Sequence, residues 1–255
     1  VSAVFDRSFY VVMGGSWICV GNESLPMGPL NLRTDWRPGG TQMGLKKKFG
    51  FYFAGAEIWR PPPPPSWNSG TLTRGLAALQ EAARPMIPAE GLGVFIMERP
   101  HGNLAAHAGT FIGHLTEDPS CSEAPGWIAR LVGLGPGLTP SGDDFLGGMM
   151  IALALLDRRE ELSRFEAMVM GAARSGTHDI SRAHLKAAAA GAGSEALHGA
   201  LNQILAGKSA DLDGINRIGH CSGWDALAGA VTLLRAWLRA GCRPFPEGPV
   251  SAHAA

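Results

Sequence analysis

The chain has 255 residues, of which 45% are hydrophobic and 17% are charged, and its 22 basic and 22 acidic side chains give a formal net charge of zero. This composition is that of a globular protein with one large domain or two modest ones, and it excludes a disordered or acidic tail. A neutral chain also lacks the electric field that attracts phosphate backbones or anionic lipid, so we expect small ligands rather than nucleic acid or a membrane as partners.

Cysteine spacing and hydropathy favour a cytoplasmic location. The 4 cysteines lie far apart and form no C-x-x-C pair, so they signal neither a zinc site nor a redox dithiol. Asp6 and Arg7 interrupt the segment that a signal peptide would need to keep apolar, so we expect no export signal, and the lack of an initial Met indicates a trimmed beginning. The most apolar stretch, residues 145–156, is too short to cross a bilayer.

Residues 1–115 are predicted to form a β-rich mixed α/β domain. Residues 8–20 are β-branched and aromatic around Gly14 and Gly15, which predicts two short strands joined by a turn. Apolar runs at 49–53 and 93–97 are also predicted to be strands. The following segments complete this half: solvated lysines at 46–48, a stiff extended proline run at 61–65 that packs against the same molecule, and a helix with leucines at helical spacing at 69–83.

Residues 116–255 are predicted to form a helical domain, because apolar residues recur there at helical rather than alternating spacing. The polar, turn-rich segment 116–126 marks the junction. The predicted fold class is therefore α+β, with a β-rich N-terminal half followed by a mainly α-helical C-terminal half.

The segment GLGPGLTPSGDD, residues 133–144, is the most unusual feature of the helical half. Thr139 followed by Pro140 predicts a helix start in which the threonine hydroxyl caps the first turn. Asp143 and Asp144 then lie in that turn, where the helix dipole favours negative charge. Capping explains one acid, but two acids before a helix that is apolar all round need a cation, hydrogen-bond donors or a ligand. The glycine spacing fits neither a dinucleotide-binding fingerprint nor a P-loop.

Two later helix starts have similar character. Thr177, Asp179 or Ser181 can cap a helix that ends near residue 191, and Ser222 and Asp225 have the spacing of a capping box. If the three helix starts converge, their free amides would form a site for a small anion or phosphate. The predicted substrate-binding residues are Gly135, Gly137, Thr139, Ser141, Gly142, Thr177, Ser181, Ser222 and Gly223.

Asp143, Asp144 and His220 are the predicted catalytic residues. One aspartate could act as a general base that the other orients, both could bind Mg²⁺, or both could simply brace the loop and the helix dipole. No other cofactor is indicated. His220 lies beside Ser222 in a glycine-flanked turn and is the favoured proton carrier or anion donor among the histidines. His184 and His198 lie inside helical patterns and are interpreted as surface or packing residues.

Three motifs carry a resemblance to a known family. GLGPGLTPSGDDFLGG, the segment 181–191 and GHCSGWDALAG together resemble the AllH-like family, and the similarity extends from the β-rich start to the last helix. AllH is a subunit of the oxamate carbamoyltransferase complex of allantoin breakdown, which interconverts oxalurate and phosphate with oxamate and carbamoyl phosphate. The resemblance implies a part in carbamoyl transfer beside two other subunits. All of these compounds are small anions, which agrees with an anion site at the helix starts.

Two other functions remain open from the residues alone. The first is a metal-dependent hydrolase that uses the aspartate pair on a helical site. The second is a non-catalytic scaffold subunit whose glycine loop is only a tight packing joint. A divalent ion held by two or more aspartates would favour the hydrolase, whereas a phosphate bound on helix amides without a metal would favour carbamoyl transfer.

Overall fold

The structure is a computed structural model that describes residues 3–4, 8–35, 50–97, 103–117 and 125–241. A small N-terminal sheet precedes a series of helices, which confirms the predicted α+β class. The lysines at 46–48 and part of the predicted junction at 116–126 lie outside the described residues. One helix spans Asn103–Glu117 and so crosses residue 116, and the division into two domains stays a prediction.

The N-terminal sheet contains four strands in spatial and sequence order: β1 (Ala3–Val4), β2 (Ser8–Met13), β3 (Ser16–Gly21) and β4 (Asn31–Arg33). β2 and β3 form an antiparallel hairpin whose turn is Gly14 and Gly15, and both glycines have positive φ, at 57° and 81°. This is the predicted pair of strands, and it forms because alternate apolar side chains, such as Phe9 and Val20, cover a small core of their own. β4 runs parallel to β3.

Two predicted strands are wrong. The run at 93–97 forms a buried 3₁₀ helix, Gly93–Ile96. Two carbonyl oxygens of this run accept hydrogen bonds from the Arg235 guanidinium group and are therefore not available to a neighbouring strand. The Arg235 nitrogens donate to the carbonyl oxygens of Phe95 at 3.2 Å and Ile96 at 2.6 Å. The described part of the other run, residues 50–53, has no strand pairing, and Tyr52 at its centre is 91% exposed. Phe51 packs against the small core of the sheet, so this run contributes an apolar side chain there without pairing as a strand.

The helices follow in this order: α1 (Ser69–Ala83), α2 (Asn103–Glu117), α3 (Pro125–Leu131), α4 (Ser141–Leu155), α5 (Arg159–Gly176), α6 (Asp179–Ala189), α7 (Glu195–Leu205), α8 (Asp213–Asn216) and α9 (Ser222–Arg239). α1 has the predicted bounds, and an Asn68–Thr71 capping box begins it. The proline run is extended, and the Asn202 side chain donates to the Pro63 carbonyl oxygen at 3.2 Å, as expected for packing within the molecule. Within the described residues, no helix has both the length and the apolar character that a bilayer-spanning segment requires.

α4 is the central helix, and it packs most closely on α9. A Cβ atom placed on Gly148 would lie 1.8 Å from the Ala226 carbonyl oxygen, and one placed on Gly229 would lie 1.9 Å from the Phe145 carbonyl oxygen. The two backbones therefore touch at a glycine on each helix, because a side chain at either position would collide with the other backbone. This contact fixes the first turn of α4 beside the first turn of α9.

Candidate functional site

A cavity of about 390 Å³ lies where the sheet meets the first turns of α4, α6 and α9. Tyr10 and Cys19 of the sheet form one wall together with the loop 24–31. The opposite wall carries Asp144 of α4, Ser181 of α6 and other polar residues of the helix starts. The N-terminal sheet therefore closes over the helix starts and encloses a space of the size that small-molecule sites have.

The three predicted helix starts converge through their side chains. The Thr139 Oγ1 atom lies 3.1 Å from the Ser222 Oγ atom, which joins the α4 and α9 starts. The Ser181 hydroxyl donates to Asp143 Oδ2 at 2.6 Å, which joins the α6 and α4 starts. The three helix starts therefore meet, which the sequence had left open, and the groups that meet are hydroxyls and carboxylates.

Asp143 uses both of its carboxylate oxygens within the protein. Its Oδ1 accepts from the Gly133 amide at 2.8 Å, and its Oδ2 accepts from the hydroxyls of Thr177 and Ser181. The residue is only 1% exposed. A buried carboxylate with three donors ties the glycine loop and the start of α6 to α4, so Asp143 acts as a structural junction beside the cavity.

Asp144 has the opposite environment although it is the next residue. Its Oδ2 is buried and has no hydrogen-bond partner among the described residues, and the side chain lines the cavity. Burial raises the pKa of this carboxyl well above its ordinary value of 3.8, the hydroxyls of Ser222 and Thr139 lower it in part, and the charges of Asp225 and Asp143 raise it further. Asp144 is therefore a partly unsatisfied acid that is easier to protonate than an exposed aspartate, and such perturbed groups are common at functional sites.

The predicted caps differ from the observed helix starts. α4 begins at Ser141, Pro140 is the residue before it, and Thr139 makes no cap because its hydroxyl contacts Ser222 instead. Ser222 is the first residue of α9 rather than its cap. The capping-box prediction for Asp225 is also wrong, because its buried Oδ1 accepts from the Leu92 amide at 2.5 Å.

The glycines beside the helix starts are packing residues. The Gly142 amide donates to the Leu134 carbonyl at 2.9 Å, and a Cβ atom at Gly142 would lie 1.9 Å from another carbonyl oxygen. The Gly223 amide donates to the Ile218 carbonyl at 3.2 Å, and a Cβ atom there would lie 2.3 Å from the Ile215 carbonyl oxygen. Because both amides already have acceptors, we interpret these glycines as close-contact positions rather than as ligands of a substrate.

Several other predicted site residues lie away from the cavity wall. Gly135 and Gly137 have positive φ, at 109° and 93°, and shape the loop before α4 without lining the cavity. Ser141 is buried and hydrogen-bonds with Asp225. His220 is also outside the lining: its side chain is 81% exposed and its Nε2 lies 3.2 Å from Glu90 Oε2. The structure therefore does not bring His220 to the aspartates.

Tyr10, His184 and Arg217 are among the cavity residues that the sequence did not predict. The Tyr10 hydroxyl lies 3.2 Å from the Nε2 of His184, and burial lowers the pKa of His184 to about 4, so this imidazole is neutral near pH 7. His184 is thus a cavity residue and not a surface or packing residue as predicted. Arg217 is the cationic side chain among the lining residues, and its Nε donates to the Asp213 carbonyl at 3.2 Å. The one sequence signal for Arg217 was its position, just before the third motif, GHCSGWDALAG.

Comparison with known proteins agrees with the family resemblance of the three motifs, but it covers residues 131–234 and does not extend to the β-rich start. No curated protein and no solved structure matches the chain. A family model does match, and its range contains all three motifs, the start of α4, the whole of α6 and the start of α9. Residues 131–234, the helical part that forms one wall of the cavity, match the family of the oxamate carbamoyltransferase subunit AllH.

Proposed function

We propose that this chain is a subunit of a carbamoyltransferase and that its cavity binds a small anionic amide, oxamate or oxalurate. One observation carries the proposal: Arg217 lines the same cavity as Asp144, whose buried Oδ2 has no hydrogen-bond partner among the described residues. The first can exchange a proton with an amide nitrogen, and the second can pair with a carboxylate. Oxamate and oxalurate carry both of these groups. The AllH match of residues 131–234 supports the same reaction class.

Arg217 is the residue we propose for recognition of the substrate carboxylate. A guanidinium group presents paired N–H donors that fit a carboxylate or phosphate, and it stays charged at any physiological pH. The hydroxyls of Thr139 and Ser222, 3.1 Å apart, supply uncharged donors for the substrate carbonyl groups. In this proposal the substrate is bound by these side chains, and not by the free helix amides that the sequence suggested.

Asp144 is the residue we propose for proton transfer. In the direction of oxalurate formation, the amide nitrogen of oxamate attacks the carbonyl carbon of carbamoyl phosphate, a C–N bond forms, and the C–O bond to the departing phosphate breaks. The nitrogen loses one proton, which Asp144 accepts in its carboxylate form. A raised pKa makes Asp144 a stronger base than an exposed aspartate, and in the reverse direction its protonated form returns the proton.

Asp143 has a positioning role in this proposal. It holds Ser181 and Thr177 at the start of α6 and thereby sets the wall that faces Asp144. The alternative of a metal-dependent hydrolase needs two carboxylates that are free to bind an ion, and Asp143 already accepts three hydrogen bonds. For this reason the aspartate pair enters the proposal as one acid–base group and one structural group, without Mg²⁺.

Ligand-induced thermal stabilisation of the purified chain tests the binding step. We expect oxamate and oxalurate to raise the melting temperature, since a ligand that prefers the folded state stabilises it by mass action. Arg217→Gln should weaken this binding about 10- to 100-fold, the range that charge-assisted hydrogen bonds supply. Arg164→Gln, on an exposed position of α5, is the matched control and should bind as the original chain does. An unchanged affinity in Arg217→Gln would contradict the assignment.

Turnover in the assembled complex tests the chemical step. The chain is purified with its partner subunits, and carbamoyl phosphate formation from oxalurate and phosphate is measured. Asp144→Asn should retain oxamate binding but lose turnover about 100-fold or more, as expected when a positioned acid–base group is removed. Full turnover in Asp144→Asn would refute its role as the base. The proposed function itself would be refuted if oxamate, oxalurate, phosphate and carbamoyl phosphate gave neither thermal stabilisation of the chain nor turnover in the complex.

A further inference from the structure

A second group of chemically active side chains lies outside the cavity. Glu90 belongs to the segment before the 3₁₀ helix, whereas His220 and Cys221 directly precede α9. One oxygen, one nitrogen and one sulfur atom from these three residues all lie within 4.8 Å of one another. Two segments that are 130 residues apart therefore bring three different types of metal-ligating atom together.

The spacing of these atoms suits a tetrahedral metal ion. Zn²⁺ binds nitrogen and oxygen at about 2.0–2.2 Å and sulfur at about 2.3 Å, so neighbouring ligand atoms around it are about 3.3–3.8 Å apart. The Nε2 of His220 lies 3.2 Å from the Oε2 of Glu90, which is close to that distance. The sulfur of Cys221 needs a shift of about 1 Å at most, since tetrahedral ligands sit about 3.3–3.8 Å apart and all three atoms lie within 4.8 Å of one another.

Asp225 supplies an independent observation beside this group. The residue is 1% exposed, and its Oδ2 is buried without a hydrogen-bond partner among the described residues. A Cβ atom on Gly91 would lie 3.0 Å from that Oδ2 and 3.0 Å from the Cys221 Cβ, so Asp225 and Cys221 border the same small space. A buried, unpaired carboxyl oxygen beside Cys221 is an environment that a cation would complete.

We propose that Glu90, His220 and Cys221 form a binding site for a divalent transition metal, with Zn²⁺ as the preferred ion. The mixed sulfur, nitrogen and oxygen set suits Zn²⁺ and disfavours Mg²⁺ and Ca²⁺, which prefer oxygen ligands alone. The ion would join the segment before the 3₁₀ helix to the first turn of α9. Ser222 follows Cys221 directly, so the site would fix the position of a cavity hydroxyl. This inference does not depend on the carbamoyltransferase proposal.

Cobalt binding to the full chain tests the site. The protein is treated with a chelator, kept reduced, and titrated with Co²⁺ as a spectroscopic substitute for Zn²⁺. We expect one equivalent of Co²⁺ to produce a thiolate-to-cobalt charge-transfer absorption that Zn²⁺ then abolishes. The melting temperature should rise on addition of Zn²⁺ and not of Mg²⁺. Absence of the absorption band in the original chain would overturn the proposal.

Matched variants identify the ligands. Cys221→Ser should lose the absorption band, whereas Cys19→Ser, a buried cysteine of the sheet, should retain it. His220→Ala and Glu90→Gln alter side chains that are 81% and 75% exposed, so both variants should fold, and each should weaken metal binding by at least about tenfold. A band that persists in Cys221→Ser, or affinity that is unchanged in His220→Ala, would refute the assignment. Circular dichroism of each variant confirms that the helices are intact.

Discussion

Replacing Asp143 and Asp144 separately by asparagine should have very different effects on stability. The two residues are adjacent in the first turn of α4, and each replacement keeps the size of the side chain. Asp143 accepts three hydrogen bonds from Gly133, Thr177 and Ser181, whereas the buried Oδ2 of Asp144 accepts none among the described residues. The prediction is therefore that Asp143→Asn destabilises the fold and that Asp144→Asn does not.

The size of the effect follows from the partners of Asp143. An asparagine has one acceptor oxygen, so its NH₂ group must face either the Gly133 amide or the two hydroxyls that Oδ2 now binds. Loss of charge assistance in the remaining bonds costs about 1 kcal/mol each, and a buried donor left without an acceptor costs about 1–3 kcal/mol more. The sum is about 3–5 kcal/mol. For a chain of this size it corresponds to a melting temperature lower by about 6–20 °C.

Asp144→Asn should stay within about 1 kcal/mol of the original chain, because its buried Oδ2 has no hydrogen bond to lose and burial, which raises its pKa, disfavours the charge that asparagine removes. Thermal melts followed by circular dichroism, with urea unfolding as a second measure, determine both values. A melting temperature of Asp143→Asn within about 2 °C of the original chain, which is about what a 1 kcal/mol change produces, would contradict the structural role of Asp143. Equal losses of stability in the two variants would contradict it as well.

Two further predictions concern packing and pH. Gly148→Ala should destabilise the fold by about 3 kcal/mol or more, because its Cβ would lie 1.8 Å from the Ala226 carbonyl oxygen. The control is Gly199→Ala on α7, where a Cβ would meet open space, and it should stabilise the fold by about 0.5–1 kcal/mol. Urea unfolding measures both changes. Burial lowers the pKa of His184 from 6.5 to about 4, so the unfolded chain takes up a proton at a higher pH than the native state does. The free energy of unfolding should therefore fall as the pH drops from 6.5 to about 4, by up to about 3 kcal/mol. His184→Gln should flatten this part of the stability curve between pH 7 and pH 4, and an unchanged slope would show that His184 is accessible to protons in the native state.

Local signals made the fold predictable where they were strong. The Gly14–Gly15 turn between β-branched residues predicted the β2–β3 hairpin, and leucines at helical spacing predicted the bounds of α1. The run at 93–97 was misread because a short apolar segment fits a strand or a buried turn equally well. Its conformation depends on Arg235, which is about 140 residues away and binds its carbonyl oxygens. Such a contact leaves no trace in the local sequence.

The candidate site was half predictable for a related reason. Thr139, Asp144 and Ser222 belong to motifs whose composition is unusual in itself, so the helix starts could be identified before their convergence was known. Tyr10 reaches the site across 174 positions of sequence to meet His184, and neither residue stands in an unusual pattern. The wall that the sheet contributes could not be found by inspection of the helical motifs.

The adjacency of the two aspartates is what the sequence could not interpret. Neighbouring residues on an α-helix point about 100° apart, since 3.6 residues complete a turn, so they face different neighbours even within one turn. In α4 this rotation turns Asp143 towards α6 and the glycine loop, and Asp144 towards Ser222 of α9 and the cavity. A pair interpreted as a single unit, whether as metal ligands or as a base and its orienter, therefore divides into one carboxylate that is satisfied within the protein and one carboxyl group that lines the cavity. Because the helix separates the two directions, one motif both closes the loop and presents an acid to the cavity.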